Sequence, residues 1–213
     1  MSIFELEREQ MVRVQLERRG IRDERVLAAM RSVARELFVP PDQQAFAYDD
    51  GPIAIGYGQT ISQPYIVALM SELLELRGDE VVLEVGAGSG YQAAVLAQLA
   101  KTVHAVERLP ELATICARRL QALGYSQVFV HEADGSLGWP SAAPYGGILV
   151  TAAAPEPPPP LLAQLAEGAR LVLPVGGRSV QELQVWQRQG EQFAYRSVLP
   201  VAFVPLRGRY GWA

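Results

Sequence analysis

Hydrophobic positions along this chain change period twice. Between Ser2 and Arg19, Phe4, Leu6, Met11, Val14 and Leu16 form a loose helical stripe closed by Gly20. Asp23 is placed as the N-cap of a second short helix through Val26, Leu27, Met30 and Val33, which stops before Pro40-Pro41. From Pro40 to Gln63 neither helical nor strand period is visible, and Tyr48 to Ser62 is rich in turn residues. A stretch that long without periodicity inside a compact domain points to function. A third helix is predicted from Pro64 to Arg77, with Ile66, Val67, Leu69, Met70, Leu73 and Leu74 apolar and Gly78 at its end.

From Glu80 onward short apolar runs alternate with helical ones. Strands are predicted at Val81–Val85, Thr102–Val106, Val128–Ala133, Gly147–Thr151 and Arg170–Val175, and helices at Tyr91–Ala100, Pro110–Leu123 and Leu161–Ala166. Strands so continuously apolar imply a parallel sheet covered on both faces. After Gly177 the pattern changes, and Glu182–Gln187 and Gln192–Val198 flank Gln189-Gly190 as an antiparallel hairpin. The prolines from Pro155 to Pro160 read as a stiff strand-to-helix connector rather than a polyproline ligand, since proline is at home in a first helical turn. No internal repeat is present. One domain is expected over 1–213: N-terminal helices and a serine loop (1–78), a βα core (79–177) and a C-terminal hairpin (178–213).

Composition narrows the function classes. A chain of 213 residues, 49% hydrophobic and 20% charged, buries enough surface to fold without disulfides or metal. Nineteen Lys and Arg against 23 Asp and Glu leave a net charge of −4, with the basic residues scattered in pairs, which argues against a nucleic-acid binder. One cysteine, Cys116, and two histidines, His104 and His131, leave little for a metal centre, and none is expected. Cys116 shares an apolar helix face with Leu112, Ile115, Leu120 and Leu123, so packing is its expected role. The N-terminal residues lack a secretory apolar core, and no apolar run approaches the roughly 20 residues that span a bilayer. A soluble cytoplasmic protein is the expectation.

The strongest local signal is Glu84-Val-Gly86-Ala-Gly88-Ser-Gly90, directly between a strand and a helix. Such a turn lets the backbone approach a ligand closely. It lacks the Lys of a phosphate-binding loop, and Tyr91 stands where a dinucleotide fingerprint continues with Gly or Ala. The Gly-x-Gly-x-Gly form after an acid is typical of S-adenosyl-L-methionine (AdoMet) methyltransferases, with Glu84 near the ligand's ammonium group; a purely structural turn is the alternative. Glu107 ends the second strand, 21 residues after Gly86, where a carboxylate can bind ribose hydroxyls. Asp134-Gly135 ends the third strand on the same edge of the sheet, where the carboxylate can accept from an adenine amino group. Ser62, two residues before Pro64, reads locally as a helix cap, and no nucleophile–base pair surrounds it.

Taken together, these motifs resemble the protein-L-isoaspartate (D-aspartate) O-methyltransferase family. The resemblance rests on Tyr48-x-Asp50-x-Pro52, the block Ile55-Gly-x-Gly-Gln-Thr-Ile-Ser-Gln-Pro64, the glycine loop, Glu107, Asp134-Gly135, Leu171–Gly176 and Phe203–Leu206. It implies a Rossmann-like AdoMet-dependent fold, a mostly parallel seven-stranded sheet with helices on both faces and an N-terminal helical addition. It also implies Ser62 as the active-site residue, Thr60, Ile61 and Ser62 over the cofactor, and Ile55, Val204 and Leu206 against the substrate. The substrate would be damaged proteins and peptides containing isoaspartyl residues, and a monomer is expected. The chain departs from the family in Ile53-Ala54, where a Leu-Pro pair is common, and in Tyr65, where some relatives carry His. Its tail from Arg207 to Ala213 matches no pattern. Two other readings stay open at this level: a methyltransferase for a small-molecule carboxylate, and a cofactor-binding protein without catalysis.

Overall fold

The computed structural model describes residues 2–212, so Met1 and Ala213 at the ends of the expected domain lie outside it. Helix α1 (Ile3–Met11) begins with a capping box in which Ser2 and Glu5 exchange hydrogen bonds. The helical stripe then leaves α geometry, through a wider π turn at Val12–Leu16 and a tight 3₁₀ turn at Glu17–Arg19, and Gly20 ends it at φ 98°. Helix α2 (Glu24–Ser32) is capped by Asp23, whose side chain accepts from the N–H of Arg25. The stretch read as aperiodic holds a 3₁₀ segment at Pro41–Phe46 and a small antiparallel hairpin, β1 (Ile53–Gly56) and β2 (Gln59–Ile61).

Helix α3 (Pro64–Leu73) stops four residues before the expected Arg77. The reason is packing. Leu74 and Leu76 leave the helix to press on Gly147, and Glu75 between them takes a positive φ of 51°. The alternating core follows as β3 (Val81–Val85), α4 (Tyr91–Leu96), β4 (Thr102–Glu107), α5 (Pro110–Ala122), β5 (Val128–Glu132), β6 (Tyr145–Val150), α6 (Pro159–Ala163) and β7 (Leu165–Gly176). Helix α4 is also shorter than its pattern, closing through a tight turn in which Gln98 and Leu99 donate to Val95 and Leu96. The proline connector ends in α6, with Pro in its first turn. Strands β8 (Gln181–Gln189) and β9 (Gln192–Val201) form the expected hairpin.

Seven strands make one sheet in the order β5-β4-β3-β6-β7-β8-β9, parallel from β5 to β7 and antiparallel beyond. Side chains alternate across it. Val82, Val103, Leu149 and Val172 pack with the N-terminal helices, α3, α4 and one side of α5. Leu83, Val85, Ile148, Val150 and Leu171 pack with α6 and Leu206 on the other face. From β3 the chain steps outward to β4 and β5, then returns to β6 on β3's other side. Open α/β sheets bind ligands outside the carboxyl ends of the strands at that reversal. No helix among the described residues is long and apolar enough to cross a membrane.

Candidate functional site

At the reversal the glycine loop leaves β3 and turns under the end of β4. Gly86 and Ala87 both donate to the carbonyl of Val106, at 2.8 and 3.2 Å, and Thr151 after β6 donates to the carbonyl of Val85 at 2.9 Å. Gly86 has φ 93°, and a Cβ there would run into Thr151 Oγ1, which donates to the Gly86 carbonyl at 2.6 Å. Only glycine satisfies both demands. The loop's outer surface, with Val85, Glu107, Leu109, Gly135 and Thr151, forms a crevice of about 240 Å³.

Glu107 organises this crevice. Its Oε2 accepts from Gly88 N–H at 2.9 Å and its Oε1 from Leu109 N–H at 2.9 Å, so one nearly buried carboxylate holds the glycine loop and the β4–α5 turn together. Asp134 caps the turn after β5: Oδ1 accepts from Ser136 N–H and Oγ, and Oδ2 accepts from Arg209 N–H at 2.8 Å. Burial alone would raise the Asp134 carboxyl, but the bonds from Arg209 and Ser136 outweigh it and hold it below the usual aspartate range.

Of the residues expected around the cofactor, Glu84, Gly90, Asp134, Ile61 and Ser62 do not lie on the crevice wall. Glu84 faces the same side of the sheet as Val82, fully buried, and neither carboxylate oxygen has a hydrogen-bond partner among the described residues. Burial, and then the nearby charge of Glu107, push it well above the ordinary glutamate range. Gly90 packs inward, its missing Cβ 3.0 Å from Cys116 Sγ on α5. Burial raises the Cys116 thiol, in keeping with a packing role.

The β1–β2 hairpin covers the glycine loop. Ile55 Cδ1 lies 3.5 Å from where a Cβ of Gly88 would be, and the tip Gly56-Tyr57-Gly58 has positive φ throughout. Thr60 on β2 lines this crevice and also a second cavity of about 330 Å³ beyond the hairpin. Ser62 lies in the second cavity with Tyr65, Leu199 and Phe203, while Ile61 between them is buried in the core. The local reading of Ser62 as a helix cap is overturned. Gln63 occupies the cap position of α3, no side chain makes a capping bond there, and the Ser62 hydroxyl has no hydrogen-bond partner among the described residues. Val204 and Leu206 line the first crevice, tied to its floor by bonds of 2.8 Å between Ala153 N–H and Val204 O and between Leu206 N–H and Ala153 O.

The structure adds residues that the sequence reading missed. Thr151 fixes the first glycine, signalled only by its place at the end of an apolar strand. The tail without a pattern folds over the turn after β5: Arg209 N–H donates to Asp134, Tyr210 N–H to Ser136 Oγ, and Trp212 N–H to the Leu206 carbonyl at 2.7 Å.

The sequence profile of the family Protein-L-isoaspartate(D-aspartate) O-methyltransferase (PCMT) matches residues 6–211. This chain belongs to that family. Among its relatives, a Protein-L-isoaspartate O-methyltransferase of Methanoregula boonei is 55% identical over 206 residues, covering 97% of this chain and 95% of the relative. Protein-L-isoaspartate O-methyltransferase 1 of Syntrophobacter fumaroxidans is 54% identical over 212 residues, covering 100% and 99%. A solved protein-L-isoaspartate O-methyltransferase superposes with a TM-score of 0.87 at 28% identity, over 96% of this chain and 67% of that one. The crystal structure of a Plasmodium falciparum protein in complex with S-adenosyl-L-homocysteine shares the fold, at a TM-score of 0.81 and 24% identity over 94% and 98% of the two chains.

Proposed function

We propose that this chain transfers a methyl group from AdoMet to the free α-carboxyl of L-isoaspartyl residues in damaged proteins and peptides, giving a methyl ester and S-adenosylhomocysteine. The observation that carries this reading is Thr60, which lies on the wall of two cavities, the glycine-loop crevice on one side and the Ser62 cavity on the other. A methyl donor in the first and a carboxylate in the second would approach each other at the Thr60 side chain, where the two cavities adjoin.

The crevice fits the cofactor. Gly86, Gly88 and Gly135 line it, and a side chain at Gly86 or Gly135 would strike Thr151 or Val85. Gly86, Gly88 and Gly135 would hold AdoMet with Glu107 and with Thr60 above. Asp134 would stand behind Gly135 at the adenine end, and Gly90 would let the loop pack inward on Cys116, with Glu84 buried beneath it. When bound, AdoMet supplies a methyl group on a sulfonium.

The acceptor needs no base. A free α-carboxyl has a pKa of about 3.5 and is ionised at neutral pH. One carboxylate oxygen bonds the methyl carbon, the sulfur keeps the electron pair of the broken bond, and no proton moves. The chain's task is alignment and exclusion of water. Ser62, with its hydroxyl free, would donate to the carboxylate and orient it. Val204 and Leu206 line the crevice rather than the Ser62 cavity, and Ile55 packs on the glycine loop, so the three would place the peptide backbone from the crevice side of the hairpin. The ester then closes to a succinimide as the following amide nitrogen attacks its carbonyl and methanol leaves with the nitrogen's proton, and addition of water to the ring returns part of it to aspartate.

A cytoplasmic location, a monomer and one working domain over 1–213 belong to the same proposal. Incubation of the purified protein with methyl-labelled AdoMet and either an isoaspartyl peptide or simple carboxylic acids tests it. Base-labile label on the peptide alone is the expected result. Label on the small acids alone would transfer the activity to a small-molecule carboxylate, and binding of AdoMet without any ester would leave a binding protein.

A further inference from the structure

Among the described residues lining the Ser62 cavity, Arg19 is the only charged one. It reaches the cavity from the 3₁₀ turn after the first helix, with Gly20 reversing the chain immediately behind it. Its guanidinium carbon lies 3.7 Å over the Tyr65 ring. Arg19 Nη1 donates to both carboxylate oxygens of Asp50 at 3.1 Å, and Asp50 also accepts from Gln63 Nε2 at 2.7 Å. Asp50 itself does not line the cavity. The acid therefore holds the guanidinium from outside, the ring holds it from one face, and Nε and Nη2 have no acceptor among the described residues.

A guanidinium fixed in this way matches the planar fork of a carboxylate and loses little freedom on binding one. We infer that Arg19 determines specificity: it selects isoaspartyl peptides that carry a carboxylate beside the isoaspartate over those with an amide or an ammonium there. This rests on the reading that the Ser62 cavity receives the isoaspartyl peptide. Asp50 behind the guanidinium opposes an incoming anion, and the Arg19 side chain is 39% exposed, so the selection is modest. An exposed pair of this kind supports a preference of roughly three- to five-fold.

The test uses isoaspartyl peptides identical except for Glu, Gln or Lys at the position before or the position after the isoaspartate. For the unaltered protein at low salt, kcat/KM favours Glu over Gln by about three- to five-fold at one of the two positions, with Lys below Gln. The difference lies in KM rather than kcat and narrows as salt screens the charges. Arg19→Gln brings the Glu-to-Gln ratio to about one, Arg19→Lys keeps part of it, and Asp50→Asn widens it. Equal rates for Glu and Gln peptides at both positions, or a preference that survives in Arg19→Gln, would overturn the inference. If the unaltered protein methylates none of the peptides, the functional reading itself fails and the inference falls with it.

Discussion

Replacing Glu107 by Gln isolates what that carboxylate does. The two side chains are nearly the same size, so the pocket stays filled. The carboxylate accepts two backbone N–H groups, from Gly88 and Leu109, each at 2.9 Å. A glutamine has one carbonyl oxygen, so one of the two N–H groups would face an NH₂ group instead. A hydrogen bond to a charged group contributes about 1.5–3 kcal/mol. For a chain of this length each kcal/mol moves Tm by roughly 2–4 °C, so Tm falls by about 3–12 °C. The same loss loosens the glycine loop where Glu107 lines the crevice, and AdoMet affinity drops by about 10- to 100-fold. Thermal denaturation and calorimetric titration with AdoMet read the two effects separately. If Glu107→Gln keeps both Tm and AdoMet affinity within error, the carboxylate does not organise the site and the reasoning fails.

Three further outcomes are expected. Ser62→Ala lowers kcat/KM for an isoaspartyl peptide by about 10- to 100-fold while AdoMet binding and stability hold, because Ser62 caps nothing; a lowered Tm with unchanged kinetics would return it to a structural role. Glu84 has a folded-state pKa raised by burial and by Glu107, so the protein loses stability as pH rises from the ordinary glutamate value through the raised one. Glu84→Gln removes that loss, and the variant is the more stable at pH 7 with the gap closing toward pH 4; a gap independent of pH in denaturant titrations would contradict this. Gly208→Val, whose Cβ would strike the Asp134 carboxylate, detaches the tail. Hydrogen exchange at Arg209 and Tyr210 then speeds up, and unchanged exchange would show that the tail bonds do not hold in solution.

The parallel core was legible because its central strands β3, β4 and β6 are mostly apolar on both faces, whereas the strand order, which reverses at β3, is not written in the pattern. Helix ends were not, because α3 ends where Leu74 and Leu76 meet Gly147, a contact 71 to 73 residues away along the chain that no local period encodes. The β1–β2 hairpin escaped for a different reason: its strands are four and three residues long, too short to show an alternation. At the site, the glycine loop stood out in the sequence because there the backbone itself is the signal. Glu84 was placed toward the ligand from its position at a strand end, whereas the two-residue period of β3 puts it with Val82 inside the core. The tail gave no signal because its bonds run from backbone N–H groups to Asp134 and Ser136, which any sequence can supply.

The central claim, that the two cavities joined at Thr60 serve carboxyl methylation at isoaspartate, meets its most direct test in a pair of peptides differing only in isoaspartate or aspartate at one site. With labelled AdoMet and the purified protein, the account predicts base-labile methyl ester on the isoaspartyl peptide and none above background on its aspartyl twin. Equal labelling of the two, or labelling of neither, would contradict it.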